Sequence, residues 1–279
     1  MSEPRTQPPQ LTARAAKWPL ALGLLVTPSA VLLALGVAPL VQVDPRVGDG
    51  LAFAGAAGFP VLGLALAATA EVSFRVAGGI AFSALLTLLG LAWFHPTTSA
   101  ALLLADSALV CLAWAFGASL GKRVQHPSHL FPASVVAASA DLVSLLTPEG
   151  PSHAIARSDR ALSVLTVGFP VPGSFAVAPA LGVGDLLFMA LVFGVARQHG
   201  LPFVRTVLLC ALGTAIAGLA AARFSFAVPA LVPIAAALLM GLPAIRKLRR
   251  ADRTAALVSM LAAASVAALS IARAIGLGQ

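Results

Sequence analysis

Charged residues are scarce in this chain of 279 residues: Asp, Glu, Lys and Arg together account for 10% of it, whereas 59% is hydrophobic. The mean hydropathy is +0.96, which lies far above the range of water-soluble globular proteins. Such a shortage of charge excludes a soluble enzyme or binding domain. We therefore expect a polytopic membrane protein.

Cysteine is also rare, with only two residues, Cys111 and Cys210. Both fall within apolar runs, where a thiol behaves as a small hydrophobic side chain. The chain has no Cys-x-x-Cys spacing, and its five histidines form no His-Glu-x-x-His motif. We predict neither a metal site nor any other cofactor.

The formal net charge is +8, and it comes from lysines and arginines in short stretches between apolar runs. Such stretches mark cytoplasmic loops of membrane proteins rather than a surface for nucleic acid, so we expect no nucleic-acid partner. An N-terminus in the cytoplasm places these further basic residues on the same side: Lys122, Arg123, Arg197, Arg246, Lys247, Arg249 and Arg250. We expect residence in a plasma (inner) membrane, with the connection of residues 149–176 outside the cytoplasm.

Nine segments are long and apolar enough to be candidate membrane-spanning helices, each with about 20 residues. They are residues 18–41, 51–70, 76–94, 99–120, 129–147, 177–196, 202–222, 226–245 and 254–275. The polar residues 1–17 are predicted to be a disordered cytoplasmic tail, and residues 18–279 to form a single transmembrane domain.

Two aspartates lie inside predicted spans: Asp141, in Ser139-Ala140-Asp141-Leu142, and Asp185, in Gly182-Val183-Gly184-Asp185. A carboxylate at membrane depth costs about 3 kcal/mol on insertion scales, so such residues usually face a protein interior and have a function. Asp185 could instead be an ordinary helix N-cap residue, which the Gly-x-Gly-Asp sequence before an apolar stretch would suit. A helix from there to Gln198 would be too short to cross the bilayer, so we expect the helix to start at Val177.

A third motif, Pro229-Ala230-Leu231, follows downstream. In this order, the three motifs resemble those of the presenilin and signal peptide peptidase family, the GxGD intramembrane aspartyl proteases. The resemblance covers residues 131–242. The chain departs from the family at Ala140, where an aromatic residue is usual, and it carries the aspartates on its fifth and sixth spans instead of the sixth and seventh.

The resemblance implies an all-α, presenilin-like fold of about nine transmembrane helices. It divides the domain into N-terminal helices (18–120), a catalytic core (129–245) and an extra C-terminal helix (254–275). It also implies an endopeptidase that cleaves transmembrane proteins or peptides, including remnant signal peptides, within the lipid bilayer. The implied catalytic residues are Asp141 and Asp185, the residues that shape the active site are Gly182 and Gly184, and the substrate-binding residues are Pro229, Ala230 and Leu231. We expect an uncleaved chain with no obligate accessory subunit.

Paired carboxylates suit this chemistry because two negative charges a few ångströms apart cannot both form readily, so the pair shares one proton. The ionised carboxylate takes a proton from the attacking water, and the protonated one donates to the scissile carbonyl. The product of this step is a tetrahedral gem-diol, without a covalent intermediate.

Other functions remain open at this point. Asp141 and Asp185 could form the proton relay of a proton-coupled transporter or channel, although no repeated halves with paired broken helices are visible. A serine protease is disfavoured because Ser119, in Gly117-Ala118-Ser119-Leu120-Gly121, has no intramembrane histidine to partner it. For Asp106, in the fourth predicted span, we favour a hydrogen bond between helices over a role in water access.

Overall fold

The computed structural model describes residues 18–37, 40–41, 44–94, 98–147, 150–173, 177–224 and 229–274. The predicted disordered tail, residues 1–17, lies outside these ranges, as do Glu149 and residues 174–176 of the long connection. The described chain is mostly helical, which confirms the expected helical class, and it also contains one small β-sheet.

The chain forms eleven described helices and two strands. In order they are α1 (Trp18–Val37), α2 (Pro45–Ala68), α3 (Phe74–Phe94), α4 (Ser99–Gly121), α5 (Leu130–Leu146), α6 (Pro151–Ala156), α7 (Asp159–Leu165), β1 (Thr166–Pro170), β2 (Val177–Gly182), α8 (Val183–Gln198), α9 (Phe203–Phe224), α10 (Leu231–Gly241) and α11 (Arg253–Ala274). Short 3₁₀ helices occupy Pro127–His129, Pro243–Arg246 and Arg250–Asp252.

Six helices in the described part of the chain are long and apolar enough to cross a membrane, judged by length and composition. These segments are Gly50–Ala68, Phe74–Phe94, Ala100–Gly121, Pro127–Leu146, Phe203–Ala221 and Arg250–Arg273. Large apolar side chains cover their outer faces: Phe82 on α3 is 63% exposed and Leu269 on α11 is 62% exposed. Such surfaces match the lipid of a membrane, so the expectation of an integral membrane protein is confirmed.

The prediction of nine spans is not met by the described helices, because three of the predicted segments form shorter helical stretches. Two of these stretches are Pro19–Val31 and Leu231–Gly241. The third is α8, whose 16 residues rise about 24 Å, less than the hydrocarbon thickness of about 30 Å.

The shortness of α8 has a local cause, since residues 177–182 are a strand and not the first turns of a helix. Pro179 has no N–H and would clash with the preceding turn inside a helix. β2 instead pairs antiparallel with β1, and the turn between the strands uses Gly173 at φ 82°, a left-handed conformation that glycine tolerates. The long connection thus contains α6, α7 and β1, which the hydropathy pattern did not predict.

Helices α4 and α8 pack closely along most of their length. Glycines bring their backbones together: a Cβ atom added at Gly117 would overlap the backbone of Ala190, and one added at Gly194 would overlap the Gly117 carbonyl. Gly121 meets Gly194 in the same way, with 2.7 Å between its added Cβ and the Gly194 carbonyl carbon. Small residues four apart are a common helix-packing pattern in membranes. The Gly117–Gly121 pair is thus a helix contact.

Basic residues of several predicted cytoplasmic loops lie at one end of the helix bundle. Lys122, after α4, donates to the Val72 carbonyl, and Arg197, at the end of α8, donates to the Thr69 carbonyl. The 3₁₀ helices around residues 127–129 and 243–246 touch each other at this end, and His129 lies 3.3 Å from Asp252. The opposite end carries the hairpin and both predicted catalytic motifs.

Candidate active site

Asp185 lies at the junction between the β-hairpin and α8, in the first turn of that helix. Its Oδ2 atom accepts a hydrogen bond from the Gly182 N–H, with an N···O distance of 3.1 Å. This is one half of a capping box, in which an acidic side chain at the third helical position returns to the backbone before the helix. The residue is 9% exposed.

The expected position of Asp185 in the interior of a helix starting at Val177 is therefore wrong. The alternative, Asp185 as the N-cap residue, is also not met, because Gly182 is the N-cap residue and Asp185 is the third residue of α8. The expectation assumed that residues 177–198 must form one helix long enough to cross the bilayer. The residues before α8 form a hairpin that packs against α2 and α4, with Gly168 and Leu181 buried.

Asp141 lies on the last third of α5 and is partly buried. Its Oδ2 atom accepts a hydrogen bond from the Leu231 N–H at 3.1 Å. Leu231 is the first residue of α10, so its N–H is one of the donors that have no partner within the helix. The Pro229-Ala230-Leu231 motif thus contacts Asp141 through the backbone N–H of Leu231.

The two aspartates lie on neighbouring helices. Helix α5, which carries Asp141, contacts both α8, which carries Asp185, and α10. In each aspartate, the Oδ2 atom accepts a hydrogen bond from a backbone N–H. Among the residues that the structure describes, neither Oδ1 atom accepts a hydrogen bond. One oxygen on each carboxylate is therefore oriented, and the other can bind a water molecule or a polar substrate group.

The two glycines of the second motif have different surroundings. A Cβ atom at Gly182 would lie 3.5 Å from Oδ2 of Asp185, in ordinary contact. At Gly184, an added Cβ would meet nothing within 4 Å, and this residue is exposed. Neither glycine is therefore needed to bring two helices together. If they shape the active site, they do so by leaving open space beside Asp185.

Of the third motif, Pro229 and Ala230 precede α10, and Ala230 is its N-cap residue. The predicted span of residues 226–245 places Pro229 in the first turn of its helix, whereas the observed helix begins at Leu231. The Pro229 carbonyl accepts from the Val232 N–H at 3.3 Å. Pro229 and Ala230 are partly exposed, whereas the Leu231 side chain is 7% exposed.

Asp106 on α4 is the polar residue whose role the sequence indicated least well. It is 3% exposed, and its Oδ1 atom accepts a hydrogen bond from the Gly168 N–H of β1 at 3.3 Å. Gly168 stands opposite Pro179, beside an irregularity in the strand pairing, and proline has no N–H to exchange with it. Asp106 therefore bonds a strand and not another helix, and it anchors the hairpin that leads to Asp185.

We expect Asp106→Ala to lower the free energy of unfolding by about 1–3 kcal/mol, because it leaves the buried Gly168 N–H without an acceptor. Asp106→Asn keeps an oxygen that can accept the same hydrogen bond, so it should retain most of the stability. Thermal unfolding in detergent measures both. Equal losses in the two variants would instead indicate that the charge of Asp106 matters.

Among the described residues, no group of three or more His, Cys, Asp or Glu side chains is placed to hold a metal ion. Cys111 and Cys210 are unpaired thiols in α4 and α9.

Comparisons with protein-family models, with curated proteins and with solved structures give no match to this chain. Membership of the presenilin and signal peptide peptidase family therefore stays a prediction from the three motifs.

Proposed function

We propose that this chain is an intramembrane aspartyl endopeptidase that hydrolyses peptide bonds within transmembrane segments or remnant signal peptides of other proteins. One observation supports this proposal most: Asp141 and Asp185, which are 44 residues apart in sequence, lie on helices that contact each other, α5 and α8, and α5 also contacts α10. The segments that contain these helices are the three that carry the family resemblance.

In the proposed mechanism, Asp141 and Asp185 share one proton because their charges repel each other. A water molecule between the two Oδ1 atoms loses a proton to the ionised carboxylate as it attacks the scissile carbonyl carbon. The protonated carboxylate donates its proton to the carbonyl oxygen, and a gem-diol forms. Collapse of the gem-diol expels the amine, which receives a proton from the pair, and a new carboxyl terminus is left.

A substrate helix must unwind before its peptide bonds become accessible, since they are hydrogen-bonded within the helix. The β-hairpin lies directly before Asp185, and a strand edge can bind an extended peptide through backbone hydrogen bonds. Open space at Gly184 adjoins this edge. These features support a site in which an unwound segment lies along the hairpin with its scissile bond near the aspartates.

The proposal includes a presenilin-like arrangement in the membrane, with an N-terminus in the cytoplasm of a plasma (inner) membrane and nine crossings. In it, the predicted spans that contain α1, α8 and α10 account for three of the crossings. Non-helical backbone at membrane depth is tolerated where it is enclosed by protein, and the hairpin packs against α1, α2, α4 and α7. The basic end of the bundle would face the cytoplasm.

A transition-state mimic with a hydroxyl group in place of the gem-diol provides a direct test of this function. We expect it to bind the purified protein more tightly than the parent peptide, because an aspartyl protease is complementary to the tetrahedral species. Asp185→Asn should abolish that advantage. If the mimic at saturating concentration neither binds nor inhibits, the proposal is contradicted.

The backbone donor at Leu231 gives a sharper prediction. Replacing the Ala230–Leu231 amide with an ester removes the N–H that orients Asp141 and weakens the Ala230 carbonyl as the acceptor of the Ile234 N–H. A hydrogen bond to a charged group contributes about 1.5–3 kcal/mol, so kcat/KM should fall about 10- to 100-fold. An ester at Val232, which removes the donor to the Pro229 carbonyl, is the matched control and should have a much smaller effect. Equal effects at the two positions would show that the Leu231 N–H has no special role.

We also propose that the chain acts alone and stays uncleaved, because the connection between α5 and α8 consists largely of short ordered elements: α6, α7 and the hairpin. Purified protein should then cut a transmembrane peptide without any added subunit. A requirement for an accessory protein, or for cleavage of residues 149–176 before activity appears, would contradict this part of the proposal.

A further inference from the structure

A polar cavity of about 480 Å³ lies at the far end of α8 from Asp185. The turn between α2 and α3 and the C-terminal ends of α4 and α8 form its walls. Three charged side chains line it: Glu71, Lys122 and Arg197. Apolar residues, including Leu64 and Trp114, form its inner part. The proposed proteolytic mechanism makes no use of this cavity.

Backbone hydrogen bonds hold both cations at the cavity. The Nζ atom of Lys122 donates to the Val72 carbonyl at 2.8 Å, and an Nη atom of Arg197 donates to the Thr69 carbonyl at 3.3 Å. An ammonium has three donors and a guanidinium has five, so both cations can bind an anion while they keep these backbone bonds. Within the described residues, neither cation lies within 4.0 Å of a carboxylate, since the one such pair is His129–Asp252.

The start of α3 adds a third source of positive potential. Val72 and Ser73 line the cavity immediately before Phe74, the first residue of this 21-residue helix. Ser73 caps the helix, accepting from the Val76 N–H at 3.4 Å. Helix N-termini carry a partial positive charge and unpaired N–H groups, which favour phosphate binding. Together with Lys122 and Arg197, this end of α3 forms an anion-binding concavity.

Glu71 in the same cavity makes a simple anion a poor match and favours a ligand that also carries a positive group. The cavity lies at the ends of apolar helices, where lipid headgroups are located, and basic pockets between transmembrane helices bind phospholipid headgroups. We propose that it binds the headgroup of an aminophospholipid, with the phosphodiester between Lys122 and Arg197 and the primary ammonium at Glu71. Ala190 and Gly194 of α8 also line the cavity, so the lipid would contact the helix that carries Asp185.

Thermal unfolding of delipidated protein in detergent tests this assignment. We compare added phosphatidylethanolamine, phosphatidylglycerol and phosphatidylcholine with identical acyl chains. At about 100 times the Kd, phosphatidylethanolamine should raise Tm by about 5–10 °C, and the other two lipids should raise it less. Each shift is taken relative to the lipid-free Tm of the same variant, so a loss of intrinsic stability does not affect the result.

The variants separate the roles of the charged groups. Lys122→Gln and Arg197→Gln should reduce the Tm shift with all three lipids, because each lipid carries the phosphodiester, and Lys122→Arg should retain the shifts. Glu71→Gln should abolish the preference for phosphatidylethanolamine over phosphatidylglycerol. Arg205→Gln, which changes an exposed arginine on α9 outside the cavity, is the matched control and should keep the wild-type shift.

Three outcomes would overturn the proposal. Unchanged phosphatidylethanolamine shifts in Lys122→Gln and Arg197→Gln would place the lipid elsewhere. Equal shifts with phosphatidylethanolamine and phosphatidylcholine in the wild type would show that no primary ammonium is recognised. An equal shift with soluble phosphoethanolamine would identify a free phosphate compound, and not a lipid, as the ligand.

Discussion

Asp141→Asn and Asp185→Asn should each lower the rate of cleavage of a transmembrane peptide by more than about 10³-fold. An asparagine can neither take a proton from water nor donate one to the scissile carbonyl, and positioned acid–base groups contribute about 10² to 10⁴ in rate. Because the two carboxylates act as one unit, the double variant should be no slower than either single variant. Quantification of the product by mass spectrometry measures all three rates.

Asp159→Asn provides the matched control. It makes the same chemical change at an exposed aspartate at the start of α7, away from the three helices that meet at the candidate site. This variant should cleave at the wild-type rate. If Asp141→Asn or Asp185→Asn keeps more than about a tenth of the activity while it remains folded, the two residues do not form a catalytic pair.

Gly117→Ala should destabilise the protein by about 1–3 kcal/mol and also reduce proteolysis. The added methyl group would overlap the backbone of Ala190, and backbone atoms cannot move aside as a flexible side chain can, so α4 and α8 must separate. Helix α8 carries Asp185, and a displacement of about 1 Å at a catalytic group costs about 10²-fold in rate. Thermal unfolding and the peptide assay measure the two effects.

Gly90→Ala on α3 is the control for Gly117→Ala. It separates steric overlap between helices from the general effect of replacing a glycine with alanine in a helix. A Cβ atom at Gly90 would meet nothing within 4 Å, and alanine favours the helix over glycine by about 1 kcal/mol. This variant should be as stable as the wild type or more so. Wild-type stability and activity in Gly117→Ala would show that α4 and α8 are not in tight contact.

Hydropathy predicted the long helices well, because each of them depends only on a local run of apolar residues. The segments predicted at 76–94 and 99–120 correspond to α3 and α4 within about two residues. Their apolar runs are uninterrupted by proline and are bounded by polar turns. A run of about 20 apolar residues has few alternatives to a helix in a membrane, so composition alone decides its structure.

The hairpin could not be predicted from hydropathy, because its residues are as apolar as those of a helix. Two local signals were nevertheless present: Pro179 within the segment predicted as the sixth span, and the Pro172–Gly173 dipeptide, which is typical of a turn. Pairing between β1 and β2 depends on residues up to 16 positions apart, which a sliding window does not detect. The short α8 and the position of Asp185 in its first turn follow from this pairing.

The candidate residues of the site were predictable from their motifs, whereas the contacts between them were not. A lone aspartate at membrane depth indicates function, and two of them indicate a pair. No sequence signal specified that the Leu231 N–H would donate to Asp141, or that Asp106 would bond the Gly168 N–H. Both contacts join residues more than 60 positions apart and depend on how the helices pack.

Mass spectrometry of the products from a transmembrane peptide incubated with purified wild-type protein tests the proposed activity most directly. We predict two complementary fragments whose new termini lie inside the apolar segment, formed without added subunits and missing when Asp185→Asn replaces the wild type. An intact peptide, combined with proton flux through wild-type proteoliposomes that Asp141→Asn and Asp185→Asn abolish, would contradict the proposal and favour a proton-coupled transporter or channel.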